Sequence, residues 1–208
     1  PSFHDMGLID GLLSPLYTGY LGVVMSPVSF VQRPARWLEA ITRFRVTHCG
    51  GPNFGYALCV QKIPPEVRAT LDLSCWESAY NGAEPLRAST LREFTAAFAP
   101  CGFHARTHYP CFGMAEATLL VTGCDIRREP VVRRVERVAL EQGKFVLAAP
   151  GASDDTTFEI VSSGRVILET RVVIVDLATG RPATDGTIGE LWITGPTVCA
   201  GYWGRPAE

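Results

Sequence analysis

Residues 78–102, SAYNGAEPLRASTLREFTAAFAPCG, read as a strand, a turn and a helix in direct succession. SAYN suits a short strand, and Asn81-Gly82-Ala83-Glu84-Pro85 breaks it. Beyond the break, Leu91, Phe94 and Phe98 recur at the spacing that stacks them on one face of a helix. Ser89 or Thr90 is placed to cap that helix, and Gly102 to end it. A Gly-Ala pair between strand and helix lets a flat ligand approach the backbone, whose amides and carbonyls can bond a base edge. An ordinary strand-to-helix turn accounts for the same residues.

Working outward, residues 1–125 alternate helix-like and strand-like stretches, the pattern of parallel βαβ units. In residues 33–44, Trp37, Leu38, Ile41 and Phe44 share a helical face, with Pro34 suited to the first turn. The apolar runs GVVMS (22–26) and VTHCG (46–50) are expected as strands buried on both faces. After Cys124 the texture changes to short alternating segments: PVVRRVERV, GKFVLAAP, TTFEIVSS, TRVVIVDL and TIGELWITG. Turn signals at Gly143, Gly151, Gly180 and Gly186 separate them. The expected fold class is α/β: a parallel βαβ layer over 1–125, then a β-rich, barrel-like subdomain over 126–208.

Of the 208 residues, 47% are hydrophobic, enough for a buried core. With 19 basic against 21 acidic side chains, the chain lacks the basic footprint of a nucleic-acid binder or a partner of anionic membranes. Seven cysteines without a repeated spacing read as reduced thiols of a cytoplasmic protein. No run approaches the roughly 18 consecutive apolar residues of a membrane span.

Four further stretches carry chemistry-bearing residues. In CGFHARTHYPC, Cys101, His104, His108 and Cys111 mimic a zinc-ligand string; drawn out as a strand, however, the two histidines lie about 13 Å apart, too far for one ion. In YPCFGMAEATLL, Phe112 before Gly113 offers an unobstructed ring face. Glu116 there is a carboxylate among apolar residues, which calls for a partner; capping of a helix entry would explain it as well. A strand followed by turns explains GELWITGPTVCAGYWGRP. His4 and Asp5 stand side by side just before an apolar, helix-like run.

Taken in order, FHDMG, NGAEP, FGMAEAT and GELWITGPTVCAGYWGRP resemble the core motifs of the adenylate-forming superfamily. HDMGLI, GGPNFGYALC, LDLSCWESAYNGAEP and the Ala115-Glu116 pair are most similar to its fatty acyl-AMP ligase branch. That branch carries an insertion before the next glycine-centred motif, VSSGRVILETRVVIVD, and residues 124–159 are placed to be it. The resemblance implies activation of a fatty acid by ATP to acyl-AMP with release of pyrophosphate. Transfer to the phosphopantetheine of an acyl carrier protein or synthase would follow. It places Gly82, Ala83, Glu84 and Pro85 at the adenine and ribose, with Phe112 stacking on the base. Gly113, Met114 and Ala115 continue the nucleotide site, and Gly164 falls close to the adenine. It assigns magnesium to Glu116 and the acyl and phosphate end of the pocket to His4, which Asp5 orients. The fatty chain would run beside Phe54, Tyr56 and Met114.

The superfamily's phosphate loop and its C-terminal lysine have no counterpart in these residues, so the 208-residue chain alone is expected not to form acyl-AMP. The alternatives are an acyl-CoA synthetase, an amino-acid adenylation domain, or a lipid- or nucleotide-sensing relative without turnover.

Overall fold

The computed structural model describes residues 1–205. The chain enters through a π-helix, Met6–Leu13, whose first amide is capped by the Asp5 carboxylate, and continues into α1, Ser14–Thr18. Residues 22–26 are not the expected strand. Val23 and Val24 are exposed and no strand among the described residues pairs with their backbone, so apolar composition alone does not make a sheet element there. Two helices follow, α2 (Pro27–Gln32) and α3 (Ala35–Phe44), the second N-capped by Pro34 and closed by Arg45 in the left-handed conformation. Leu38 and Ile41 of α3 are buried and Trp37 packs against the same core, while Phe44 at its end is exposed.

Strand β1 (His48–Gly51) leads to α4 (Asn53–Lys62) and α5 (Pro65–Arg68). Next come β2 (Ser78–Asn81), α6 (Ala88–Phe98), β3 (His108–Gly113) and β4 (Leu120–Gly123). β1, β2 and β3 pair in parallel, β4 returns antiparallel to β3, and a later strand, β7 (Arg165–Val166), completes a five-stranded sheet. The 78–102 reading holds in outline, with Gly102 left-handed at the end of the helical segment. Its capping does not. α6 starts at Ala88 without a side-chain cap, and Ser89 and Thr90 lie inside it. Asn53 of α4 has taken over: its Oδ1 accepts the Arg87 amide at 3.2 Å, and its Nδ2 donates to the Thr90 hydroxyl at 3.1 Å. A clamp between helices thus takes up the Thr90 hydroxyl that sequence offered as a cap and satisfies the Arg87 amide just ahead of the helix.

The core under this sheet is aromatic. Tyr56, Phe94, Phe98 and Phe103 are fully buried and Trp76 nearly so. Phe94 meets Tyr56 and Phe103 edge-on at 5.0 and 4.9 Å. His108 sits among these rings, with Nε2 3.1 Å from the Leu91 carbonyl and 3.0 Å from the Thr95 hydroxyl. The stretch before it is a 3-10 turn, Ala105–Thr107, rather than a strand, so His104 faces solvent and His108 the interior. Cys101 donates to the Arg68 carbonyl inside the same core.

Beyond Cys124 the strands are short and their pairing antiparallel. β5 (Val132–Glu136) pairs with β6 (Thr157–Val161), and β8 (Arg171–Asp176) lies between β9 (Arg181–Pro182) and β10 (Glu190–Thr194). All four predicted turn glycines have positive φ. GKFVLAAP contributes only isolated bridges at Lys144 and Leu147, and a short helix, α7 (Arg137–Glu141), ends the preceding strand.

Candidate active site

Parallel strands open their carboxyl ends to loops, and in open α/β sheets such a crevice is where ligands bind. Two cavities meet there. One, of 440 Å³, holds His4, Asp5, Gly82, Met114 and Ala115 in its wall. The other, of 1170 Å³, is lined by Glu84, Pro85, Arg87, Phe112 and, from the β5–β6 hairpin, Phe158. Ala83, Cys111 and Gly113 line both.

That shared wall is tightly built. Ala83 adopts φ 66°, a conformation that costs any residue with a Cβ, so its small side chain keeps the turn open between the cavities. A Cβ on Gly82 would come within 2.9 Å of the Cys111 carbonyl. Burial pushes the Cys111 thiol up to about 12, which removes it as a nucleophile near neutral pH. Glu84 is exposed and reaches across to accept the Phe54 amide at 2.5 Å, so its carboxylate tops the N-terminus of α4.

The FGMAEAT stretch forms a strained tip between β3 and β4. The register slips between Phe112 and Gly113. Ala115–Ala117 is a 3-10 turn, and Thr118, at φ 70° and ψ −58°, is the central residue of a γ-turn closed by the Leu119 amide on the Ala117 carbonyl at 2.9 Å. The C-terminal segment laces onto this tip. The Cys199 amide donates to the Glu116 carbonyl at 2.8 Å, and the Thr118 hydroxyl to the Thr197 carbonyl at 2.8 Å. Glu116 is half-buried, and its partner is the Tyr202 hydroxyl, which donates to Oε1 and holds the carboxyl below the usual range. Glu116 lines neither cavity. Gly164 does not line them either: at φ 89° it packs so closely that a Cβ would sit 2.0 Å from the Gly123 carbonyl carbon. Its neighbour Ser163 reaches the larger cavity.

In the wall of the smaller cavity, His4 Nδ1 lies 2.5 Å from Asp5 Oδ1, while Asp5 also accepts the Met6 amide at 2.8 Å. Nδ1 also accepts the Met6 amide at 3.2 Å, so both polar neighbours lie on that side of the ring and Nε2 is the nitrogen left for a ligand. Two of the three residues expected beside an acyl chain lie elsewhere. Tyr56 is sealed in the core, its hydroxyl donating to the Tyr80 carbonyl at 2.7 Å, and Phe54 lines neither cavity.

Residues that sequence reading passed over form much of the smaller cavity: Asp10, His48, Tyr80 and Tyr109. The two tyrosines lie against the sheet because glycines stand beneath them. A Cβ on Gly50 would meet the Tyr80 ring at 2.5 Å, and one on Gly123 would meet the Tyr109 hydroxyl at 1.9 Å. Parallel register places Gly50 beside Tyr80 and Tyr80 beside Tyr109, so these side chains share one face of the sheet. The signal available in sequence was Gly50 and Gly123 inside strand-like runs, which marks close approach.

The sequence matches the AMP-binding enzyme family over residues 1–203. It is 42% identical over 99% of its length to a medium-chain-fatty-acid–[acyl-carrier-protein] ligase of Teredinibacter turnerae, of which it covers 32%. A ligase of the same description from Moorena producens is 44% identical over the whole chain, with 35% of that protein covered. The fold superposes on the crystal structure of the fatty acid AMP ligase from Legionella pneumophila with a TM-score of 0.93 and 40% identity, covering 99% of this chain and 35% of that one. A Legionella fatty acyl-adenylate ligase solved with acyl adenylate and pyrophosphate gives the same score and identity, with 99% of this chain and 36% of that one covered. The chain thus spans about a third of the length of the relatives it matches. Motifs in order, a parallel sheet with its crevice, and a match over nearly every residue agree that the chain belongs to the AMP-binding enzyme family.

Proposed function

We propose that the protein carrying this chain activates a fatty acid with ATP, forming acyl-AMP and pyrophosphate, and passes the acyl group to the phosphopantetheine of an acyl carrier protein or synthase. The observation that carries the reading is the pair of cavities sharing Ala83, Cys111 and Gly113 as a wall, one with His4–Asp5 at its rim and the other with Phe112. An acyl chain in the first and a nucleotide in the second would bring carboxylate and α-phosphate together at the shared wall.

In that arrangement the Phe112 ring stacks on adenine, and the backbone of residues 82–85 bonds the base and ribose. Gly113, in the shared wall, flanks the phosphates, Met114 and Ala115 continue that edge on the acyl side, and Gly164 keeps the neighbouring Ser163 turn close to the nucleotide. His4, oriented by Asp5, uses Nε2 to hold the attacking carboxylate or the α-phosphate. Glu116 lines neither cavity, but it follows Ala115, which lines the smaller one, and the carboxylate oxygen that Tyr202 leaves unbonded would hold magnesium, an ion that takes one or two carboxylates along with substrate phosphates. When bound, the ion supplies positive charge to the phosphate oxygens. Residues 1–125 form the α/β part of the site, and 126–208 the β-rich part with the insertion at 124–159. The relatives named as carrier-protein ligases support the acceptor. Seven free thiols fit cytoplasmic work. No helix among the described residues is long and apolar enough to cross a membrane.

The test is ATP–pyrophosphate exchange by the whole protein with and without fatty acid. The reading predicts exchange that depends on the acid and falls about 10²-fold in His4→Ala, the scale of losing one transition-state contact. Exchange indifferent to fatty acid contradicts it.

A further inference from the structure

The smaller cavity holds more polar chemistry than the proposed reaction uses. His4 and Asp5 supply the carboxylate end, yet the same wall carries a second pair, His48 and Asp10. His48 Nε2 lies 3.2 Å from Asp10 Oδ1, and their side chains keep 47% and 22% of their surface open. The Tyr80 ring stands 5.2 Å from the imidazole, its phenol raised above the ordinary range by burial first and by Asp10 second. Around them the wall is apolar: Phe3, Met6, Tyr109, Met114, Leu119 and Leu120.

Two features of the fold put this pair where it is. His48 is level with Ser78, four residues before Gly82, which sets its level about 13 Å along the strand direction from the shared wall. Asp10 stands five residues after Asp5 on the π-helix. A winding of i to i+5 stacks those two carboxylates on one face, whereas an α-helix would turn one away. The rare winding therefore delivers both acids to a single cavity.

A polar pair in an apolar cavity is costly to cover unless the covering group bonds to it. An unsubstituted chain lying over His48–Asp10 would displace water and return no hydrogen bond, while a hydroxyl would donate to the carboxylate and accept from the ring. We propose that His48 and Asp10, with Tyr80, form a distal polar subsite that selects acyl chains carrying a hydroxyl far from the carboxylate. The inference rests on the reading of this cavity as the acyl site.

The experiment uses the whole protein and matched series of unbranched fatty acids and their ω-hydroxy counterparts, with kcat/KM for acyl-AMP formation as the readout. Fully buried sites of this kind discriminate much more strongly, but the open pair here retains water, so the expected preference for the hydroxylated acid is about 10-fold at the chain length that reaches it. His48→Phe and Asp10→Leu should bring that ratio to near one, raising the plain acid and lowering the hydroxylated one. His48→Gln, which can still hydrogen-bond, should keep part of the preference, and it carries the test together with Asp10→Asn if the apolar variants fail to fold. Plain and hydroxylated acids used equally at every length would overturn this inference alone, as would a preference that survives in all the variants. No adenylate from any acid would overturn it together with the acyl reading.

Discussion

At the scale of single residues, burial decides between histidines that look alike in sequence. His108 is 1% exposed, its Nε2–H has the Leu91 carbonyl as acceptor, and its Nδ1 has no partner. Protonation would bury a second N–H without an acceptor, and burial accordingly lowers its pKa to about 4. The unfolded chain, with an ordinary histidine, then binds more protons between pH 6.5 and about 4. The stability from neutral His108 is fully present above pH 6.5 and is lost as pH falls through that window, on the order of 3 kcal/mol in all. Thermal unfolding as a function of pH should show this drop in the wild type and less of it in His108→Phe. Glu116 is the opposite case, an acid kept ionised by a neighbour. On the magnesium role proposed for Glu116, removing the Tyr202 hydroxyl by Tyr202→Phe should raise the magnesium concentration needed for half-maximal activity of the whole protein about 10-fold, the lower range for loss of a group behind a metal ligand. An unchanged requirement would mean that Tyr202 only packs against the tip.

At the scale of elements, the β5–β6 hairpin is held to α6 in two ways, and magnitudes separate them. Arg92 meets Glu159 in a two-fold hydrogen-bonded pair at 2.9 and 2.7 Å, but its side chain is 60% exposed. Such pairs contribute at most about 1 kcal/mol. Beneath it Ala88, Leu91 and Val161 form a buried apolar patch. Leu91→Ala should cost roughly 2–4 kcal/mol and accelerate amide exchange in β5 and β6, whereas Arg92→Ala should change both only slightly. Equal effects would mean that the ion pair, not the patch, seats the hairpin. Asn53 supplies the matching case between α4 and α6. Both ends of its amide are bonded in a buried setting, so Asn53→Ala should cost about 2 kcal/mol, measurable as lost stability without change in the sheet.

At the scale of the molecule, sequence carried the parallel layer, the turn at residues 82–85 and the change to short antiparallel strands, because each rests on local periodicity or local turn chemistry. It also carried the first three motifs, residues of which stand in the cavity walls, whereas GELWITGPTVCAGYWGRP bonds to the tip at residues 116–118 instead. What escaped it is long-range. GVVMS has the composition of a strand but no strand partner among the described residues, the start of α6 is clamped by Asn53 of another helix, and Tyr56 went to the core instead of a cavity wall. Asp10 and His48 were invisible for the same reason, since only π-helical winding and sheet register bring them to one place.

The central claim concerns what the two adjoining cavities make together, and the most direct measurement is of products. The whole protein would be incubated with ATP, magnesium and fatty acids, with CoA and a phosphopantetheinylated carrier protein offered separately, and the acyl species read by mass spectrometry. The account predicts acyl-AMP that persists beside CoA and passes to the carrier. Ready formation of acyl-CoA would contradict the acceptor assigned to this protein, and absence of any adenylate would contradict the assignment of the two cavities to acyl chain and nucleotide.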